Sequence, residues 1–161
     1  MKIPKWAIPI VWGIIVLIIM VILPWAVSLL GVRYGWVQGM PAAWNYVGLV
    51  AVVMGLSTYI WSLVFHYKTY RAPVNVGFDP PHLVVAGPYQ ISRNPMYVAG
   101  LFTWIGWVIF YGSPAVLIGF AFLWTMFTVR VIPYEERQLE GLFGSEYLAY
   151  KKSVRRWLGR V

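Results

Sequence analysis

The sequence predicts an all-α fold: a polytopic membrane helical bundle of about four transmembrane helices, with a long cytoplasmic loop and a C-terminal interfacial helix. Three observations carry that prediction. Of 161 residues, 60% are hydrophobic and 11% charged, a balance foreign to soluble domains. The apolar residues fall in charge-free runs: Trp6 to Val32, Trp44 to Phe65 and Asn94 to Val129. The basic residues lie before, between and after those runs, leaving the net charge of +8 outside them.

Each of the first two runs exceeds or matches the roughly 20 residues that a spanning helix needs. They predict spans near 6–30 and 44–66. The third run is too long for one crossing, because about 36 residues at roughly 1.5 Å each overshoot a hydrocarbon core of about 30 Å. Its turn-rich cluster, "YGSP" at Tyr111 to Pro114, divides it, and Pro114 suits the first turn of a new helix. Spans near 95–111 and 115–131 follow. The N-terminal run is too long for a secretory core and lacks a small-residue cleavage signal after it, so it reads as a retained anchor.

Orientation comes from Lys and Arg in short loops. Lys2 and Lys5 precede span one, Lys68, Arg71 and Arg93 lie between spans two and three, and seven basic residues run from Arg130 onward. The opposite side holds only Arg33. Both termini and the 67–94 loop are therefore expected in the cytoplasm, with the chain in the plasma (inner) membrane and membrane lipids around it. The whole chain reads as one membrane domain, closed by an interfacial tail over 133–161. There is no cysteine, which excludes disulfides, thiol catalysis and cysteine-ligated metal. His66 and His82 have no carboxylate partner in sequence, so no metal site is expected. No motif for nucleic acid is present.

Polar chemistry is confined to the 66–94 loop and the tail from Ile132, which the hairpin of spans three and four should bring together. Within the loop, Asp79-Pro80-Pro81 resists helix and Leu83 to Val85 offers a short strand. Asn94 and Pro95 form a good N-cap and first-turn pair, which starts span three there. The free amides of Met96 and Tyr97 then carry the positive end of the helix dipole, and Arg93 adds a donor fork: together they suit a carboxylate or phosphate. Gly87 and Gly100 permit a turn or close approach, and Tyr89 and Tyr97 offer faces to a cation. Plain topology explains the same residues as a helix start, a positive-inside charge and an aromatic belt.

In the tail, Pro133 is expected to break span four, leaving Glu135 and Glu136 in the first turn of a new helix. Leu139, Leu142, Phe143, Tyr147, Tyr150 and Val154 recur at three and four residues and form a face for the membrane surface. Gly144 should end one helix and Ser145 cap the next. Lys151, Lys152, Arg155 and Arg156 then meet headgroups. Arginine and helix amides on one side, with paired carboxylates on the other, suit a zwitterion bearing an extra positive centre.

The segment "LVVAGPYQISRNPMYVAG", followed after a helical hairpin by "EERQLEGLFGSEYLAYKKSVRRWL", resembles the membrane methyltransferases that include isoprenylcysteine carboxyl methyltransferase and the phospholipid N-methyltransferases. The resemblance covers residues 66–158. It implies S-adenosylmethionine as cofactor, bound at the cytoplasmic face by Gly87, Pro88, Tyr89, Arg93, Pro95, Tyr97, Glu135 and Glu136, to which the helix-start reading adds Asn94, Met96 and Gly100 as cofactor-binding candidates. It also implies in-line methyl transfer to a lipidic or hydrophobic acceptor: an isoprenylcysteine-type carboxylate, a phospholipid amine or a small molecule. Glu135, Glu136 and Tyr97 would be the groups to take a proton from an amine, and Arg130 could hold an anionic acceptor head, as could Lys68 or Arg71. The chain departs from the family twice, with Asn94 where the eukaryotic carboxyl methyltransferases have histidine, and Val154-Arg155-Arg156 where Val-Pro-Arg is frequent. A non-catalytic membrane accessory or lipid-binding subunit, with Arg93 and the glutamates as a structural ion-pair network, is the alternative.

Overall fold

A computed structural model describes residues 8–70 and 80–161. Lys2, Lys5, Arg71 and Asp79 of the sequence reading lie outside the described residues, as do the first two residues of the first expected span. The described chain is all-α apart from a hairpin of two two-residue strands and a single bridge between Val154 and Arg160. Helix α1, Ile8–Leu17, continues through a π-turn, Ile18–Ile22, into α2, Leu23–Ser28. After the β1–β2 hairpin (Trp36–Val37, Met40–Pro41) and a 3₁₀ turn, Ala43–Tyr46, comes α3, Val47–Tyr70. Then follow α4, Pro95–Tyr111, and α5, Pro114–Met126. A second π-turn, Phe127–Val131, leads into α6, Ile132–Ser153. Two of these helical stretches, Ala43–Tyr70 and Pro114–Ser153, are long and apolar enough to cross a membrane. Gly13–Ser28 and Pro95–Tyr111 are shorter apolar helices.

The sequence reading needs correction at four places. Pro133 does not break the helix: the backbone stays helical from Pro114 through Pro133 to Phe143, with the π-turn directly ahead of the proline. A wider turn accommodates the pyrrolidine ring and the missing N–H, which an unbroken α-ladder would not. α3 runs to Tyr70, so the first residues of the expected 67–94 loop, Lys68 included, are its last turn. Leu83 to Val85 pairs with no strand among the described residues. The turn at Gln38-Gly39, with φ of 49° and 79°, makes an unexpected hairpin between α2 and α3. Gly144 does interrupt α6 as expected, at φ 49° and ψ −120°.

The chain divides into two compact units, residues 1–54 with 102–122 and residues 55–101 with 123–161. In the first, α3 and α4 meet through glycine. A Cβ on Gly106 would stand 2.6 Å from the Val52 amide nitrogen and 2.7 Å from the Gly48 carbonyl oxygen, so only hydrogen lets the two backbones touch. Asn45 is buried beside them and donates its amide to the carbonyls of Tyr34, Ile109 and Phe110. The Trp36 indole donates to the Phe110 carbonyl as well, at 3.0 Å. The last turn of α4 thus has side-chain donors for carbonyls that no helical amide reaches. Arg33 lies over the rings of Trp36 and Tyr111, at 4.9 and 5.1 Å, and bonds to Ser28 Oγ at 2.6 Å.

The first π-turn follows the same logic as the second. Pro24 has no N–H for the carbonyl of Met20, four residues earlier. The indole of Trp107 donates to that carbonyl at 2.6 Å. Trp107→Phe should therefore strand a carbonyl in apolar surroundings and cost about 1–3 kcal/mol, measured by denaturant titration in detergent micelles. A cost no larger than that of an ordinary surface substitution would show the bond to be dispensable.

Candidate active site

The second unit contains every residue of the expected site. It begins with a 3₁₀ turn, Gly87–Gln90. Gly87 has φ 60°, where L side chains are strained, and the ring of Phe65 fills the place of its missing Cβ. The glycine is explained by that turn and ring. Pro88 is buried, and its carbonyl receives the amides of Ile91 and Ser92. Tyr89 packs against the Phe65 ring, centroids 6.4 Å apart, while its carbonyl accepts the Tyr150 hydroxyl at 2.6 Å. Burial, first of all, raises the pKa of both phenols, so they remain hydroxyls near neutrality.

This turn delivers the chain to the start of α4. The Asn94 amide donates to Ser92 Oγ at 3.0 Å, and the Asn94 carbonyl takes the first helical bond, from Val98. The side chain of Asn94 reaches across to donate to the Arg156 carbonyl at 3.0 Å. Pro95 follows in the first turn, and the next amides, those of Met96 and Tyr97, belong to the group that has no intrahelical acceptor. Gly100 is buried one turn further in.

The two adjacent glutamates part company. Neighbours on a helix point about 100° apart, and here that angle separates two environments. Glu136 is buried among cations: Arg93 Nη1 lies 3.0 Å from its Oε1, Arg156 holds both oxygens at 3.1 and 2.7 Å, and Lys151 Nζ is 3.9 Å away. Lys151 also pairs with Glu140. Glu135 has no ion pair among the described residues. Its partner is the Tyr97 hydroxyl, 2.6 Å from Oε1, and the Tyr97 ring packs on Phe127 with centroids 4.7 Å apart. Burial raises the pKa of Glu135, and the Tyr97 hydrogen bond opposes that shift.

Arg93 was expected to face the glutamates across a ligand, yet it touches Glu136 directly. Its side chain is 9% exposed, and its Nε is buried with no hydrogen-bond acceptor. Tyr147 sits beside this network. Burial first, then the charge of Glu136, pushes its phenol up to about 12.

The tail was expected on the membrane surface, but much of its apolar face is covered by protein. Tyr147, Tyr150 and Val154 form a buried cluster, with Leu139, Phe143, Leu83 and Tyr89 packed against it, while Leu142 stays exposed. Lys151 and Arg156 turn to carboxylates, and Lys152 and Arg155 remain exposed. Beyond α6 the chain hooks back. The Arg93 amide donates to the Arg155 carbonyl at 3.1 Å, and the Gly159 amide to the Ile91 carbonyl at 2.8 Å. Sequence reasoning missed the role of this hook, because Arg156 looked like one more basic residue near a terminus. Arg130 is exposed in the second π-turn and takes no part in the ion pairs. Lys68 is likewise exposed. His66 and His82 both lie against Tyr70, and no group of three potential metal ligands occurs among the described residues.

Residues 43–146, nearly two thirds of the chain and spanning α3 through the Glu135-Glu136 turn, match the phospholipid methyltransferase family. The chain belongs to that family. Similar proteins include a probable protein-S-isoprenylcysteine O-methyltransferase of Oryza sativa subsp. indica, 31% identical over 112 residues, covering 68% of this chain and 58% of the relative. Protein-S-isoprenylcysteine O-methyltransferase A of Arabidopsis thaliana is 28% identical over 66% of this chain and 55% of its own length. The Saccharomyces cerevisiae protein-S-isoprenylcysteine O-methyltransferase is 33% identical over 66% of this chain and 45% of its own length. This member of the family thus spans about half the length of these curated relatives. No solved structure matches significantly.

Proposed function

We propose that this chain is an integral membrane methyltransferase that uses S-adenosylmethionine and acts on a lipidic or hydrophobic acceptor. One observation carries the reading: the split of the adjacent glutamates. On one side of α6, Arg93 brings a buried guanidinium with an unused Nε to the start of α4, a place for a ligand carboxylate. On the other, Glu135 is a carboxylate with no cation of its own among the described residues, set against Tyr97 and Phe127, a place for an organic cation. A zwitterion with an added positive centre needs both. The residues present fit S-adenosylmethionine on those two grounds, with Arg93 and the α4 amides toward its carboxylate and Glu135 with Tyr97 toward its positive end. When bound, that cofactor supplies an electrophilic methyl group on a sulfonium.

The chain's own task is then alignment and proton handling. Holding an acceptor at near-attack distance is worth on the order of 7–11 kcal/mol in well-oriented systems. A carboxylate acceptor needs no base. For an amine acceptor, Glu135 is the group to receive the proton, since burial has raised its basicity and Tyr97 fixes its orientation. Four helical stretches near 6–30, 44–66, 95–111 and 115–131 would cross the bilayer, with both termini in the cytoplasm and Arg130 at the headgroup level.

A second reading has one observation in its favour. The Arg93–Glu136 ion pair is what a non-catalytic accessory or lipid-binding subunit would show. The two readings separate in an assay with methyl-labelled S-adenosylmethionine and protein in liposomes of its native lipid extract. Enzyme-dependent label in the organic phase is expected; release of that label by mild base would mark a methyl ester, and retention a methylated amine. No transfer into lipid, lipidated peptide or small hydrophobic acids would favour the accessory subunit.

A further inference from the structure

Arg156, which the sequence offers as one more charge for headgroups, is fixed at both ends, by its side chain to Glu136 and by its main chain to the start of α4. Its guanidinium takes both oxygens of Glu136, Nε to Oε1 at 3.1 Å and Nη2 to Oε2 at 2.7 Å. Its carbonyl receives Asn94 Nδ2 at 3.0 Å and Ser92 Oγ at 3.3 Å, at the start of α4. Arg93 has the Tyr147 hydroxyl as a hydrogen-bond partner and holds Glu136 at one point only. It meets Glu136 through one nitrogen at 3.0 Å, outside hydrogen-bond geometry, and its buried Nε has no acceptor. Among the described residues, three cations, Arg93, Lys151 and Arg156, face two carboxylates, Glu136 and Glu140, one negative charge fewer.

We infer that Arg156 is a positioning residue: by clamping Glu136 it keeps the Arg93 fork available to a ligand carboxylate. Without that clamp, Glu136 is free to turn both oxygens to Arg93. A carboxylate fixed in the protein then competes with one arriving from solution. The hook after α6 has a function on this view, because Asn94 and Ser92 hold the Arg156 main chain where its side chain reaches Glu136. The inference rests on the cofactor reading above, and assigns to that site the residue that governs carboxylate recognition.

The test compares two probes, S-adenosylmethionine and decarboxylated S-adenosylmethionine, by calorimetry on the full chain in lipid nanodiscs. Wild-type protein should prefer the carboxylated probe. Arg156→Ala should weaken that probe about tenfold, the equivalent of one charge-assisted contact, and leave the decarboxylated probe within about twofold. Adding Glu136→Gln to Arg156→Ala removes the competing carboxylate and should restore most of the preference. Thermal unfolding establishes that each variant is folded; if Arg156→Ala is not, Arg156→Lys, which keeps the charge but loses the fork, carries the same comparison. Equal weakening of both probes, or no recovery in the double variant, would overturn the inference and leave the cofactor site intact. Equal wild-type affinity for both probes would overturn it too, since Arg93 would then bind no carboxylate. Failure of the wild type to bind either probe would remove the cofactor reading itself.

Discussion

Glu136→Gln should be the most damaging conservative substitution in the chain, lowering stability by about 3–5 kcal/mol, because it leaves a buried guanidinium without its anion. The side chains involved are 7% exposed for Glu136 and 9% for Arg93, so solvent can do little to compensate. Removing the other partner should cost less. In Arg93→Met, Glu136 keeps the Arg156 fork and the more distant Lys151, so no buried charge is abandoned. The order of the two variants is the informative result, read from denaturant titrations of each in the same detergent. Equal costs, or a greater cost for Arg93→Met, would mean that Arg156 does not satisfy Glu136 as the distances indicate.

The second large effect concerns Glu135, and it falls on ligand binding more than on folding. Glu135→Gln keeps the shape and leaves Tyr97 a hydrogen-bond partner, but removes the negative charge facing the proposed cationic group. Affinity for S-adenosylmethionine should fall roughly ten- to a hundredfold, the range for a charged hydrogen bond of about 1.5–3 kcal/mol. The pH dependence has a definite sign. Burial raises the pKa of Glu135 in the free protein, so the folded state favours the protonated acid, and this group's contribution to stability is lost as pH rises through that raised value. A cationic ligand favours the ionised form instead. Affinity should therefore rise with pH through a window above the ordinary glutamate range, with a proton released on binding, and then level off. In Glu135→Gln that slope should vanish. A slope that survives the substitution would assign the titration to another group.

Much of the helical layout was legible because it follows from local chemistry. The run of apolar residues, the Tyr111 to Pro114 cluster and the Asn94-Pro95 pair mark helix limits through desolvation and backbone geometry, which act over a few residues. The two π-turns were not legible. A proline in an apolar run signals a break, and whether the helix instead widens depends on what satisfies the freed carbonyl; for Met20 that is Trp107, far along the chain. The site was legible as a list of residues and not as an arrangement. Arg93 and Glu136 were expected to oppose each other across a ligand, but charges in a low-dielectric interior take the nearest partner. The two glutamates looked like a pair, and their separation follows from helical pitch combined with the positions of Tyr97 and Arg156. The apolar stripe of the tail had the right period; its partner, Leu83 and Tyr89 in place of lipid, is a tertiary fact.

A methyl-donor cofactor should bind where Arg93, the start of α4 and Glu135 converge. Calorimetric titration of S-adenosylmethionine into folded wild-type protein in lipid nanodiscs, repeated in two buffers of different ionisation enthalpy, tests it most directly. Saturable binding is the expected result, accompanied by proton release at a pH within the window where Glu135 titrates. No saturable heat from protein shown to be folded in the same nanodiscs would contradict it.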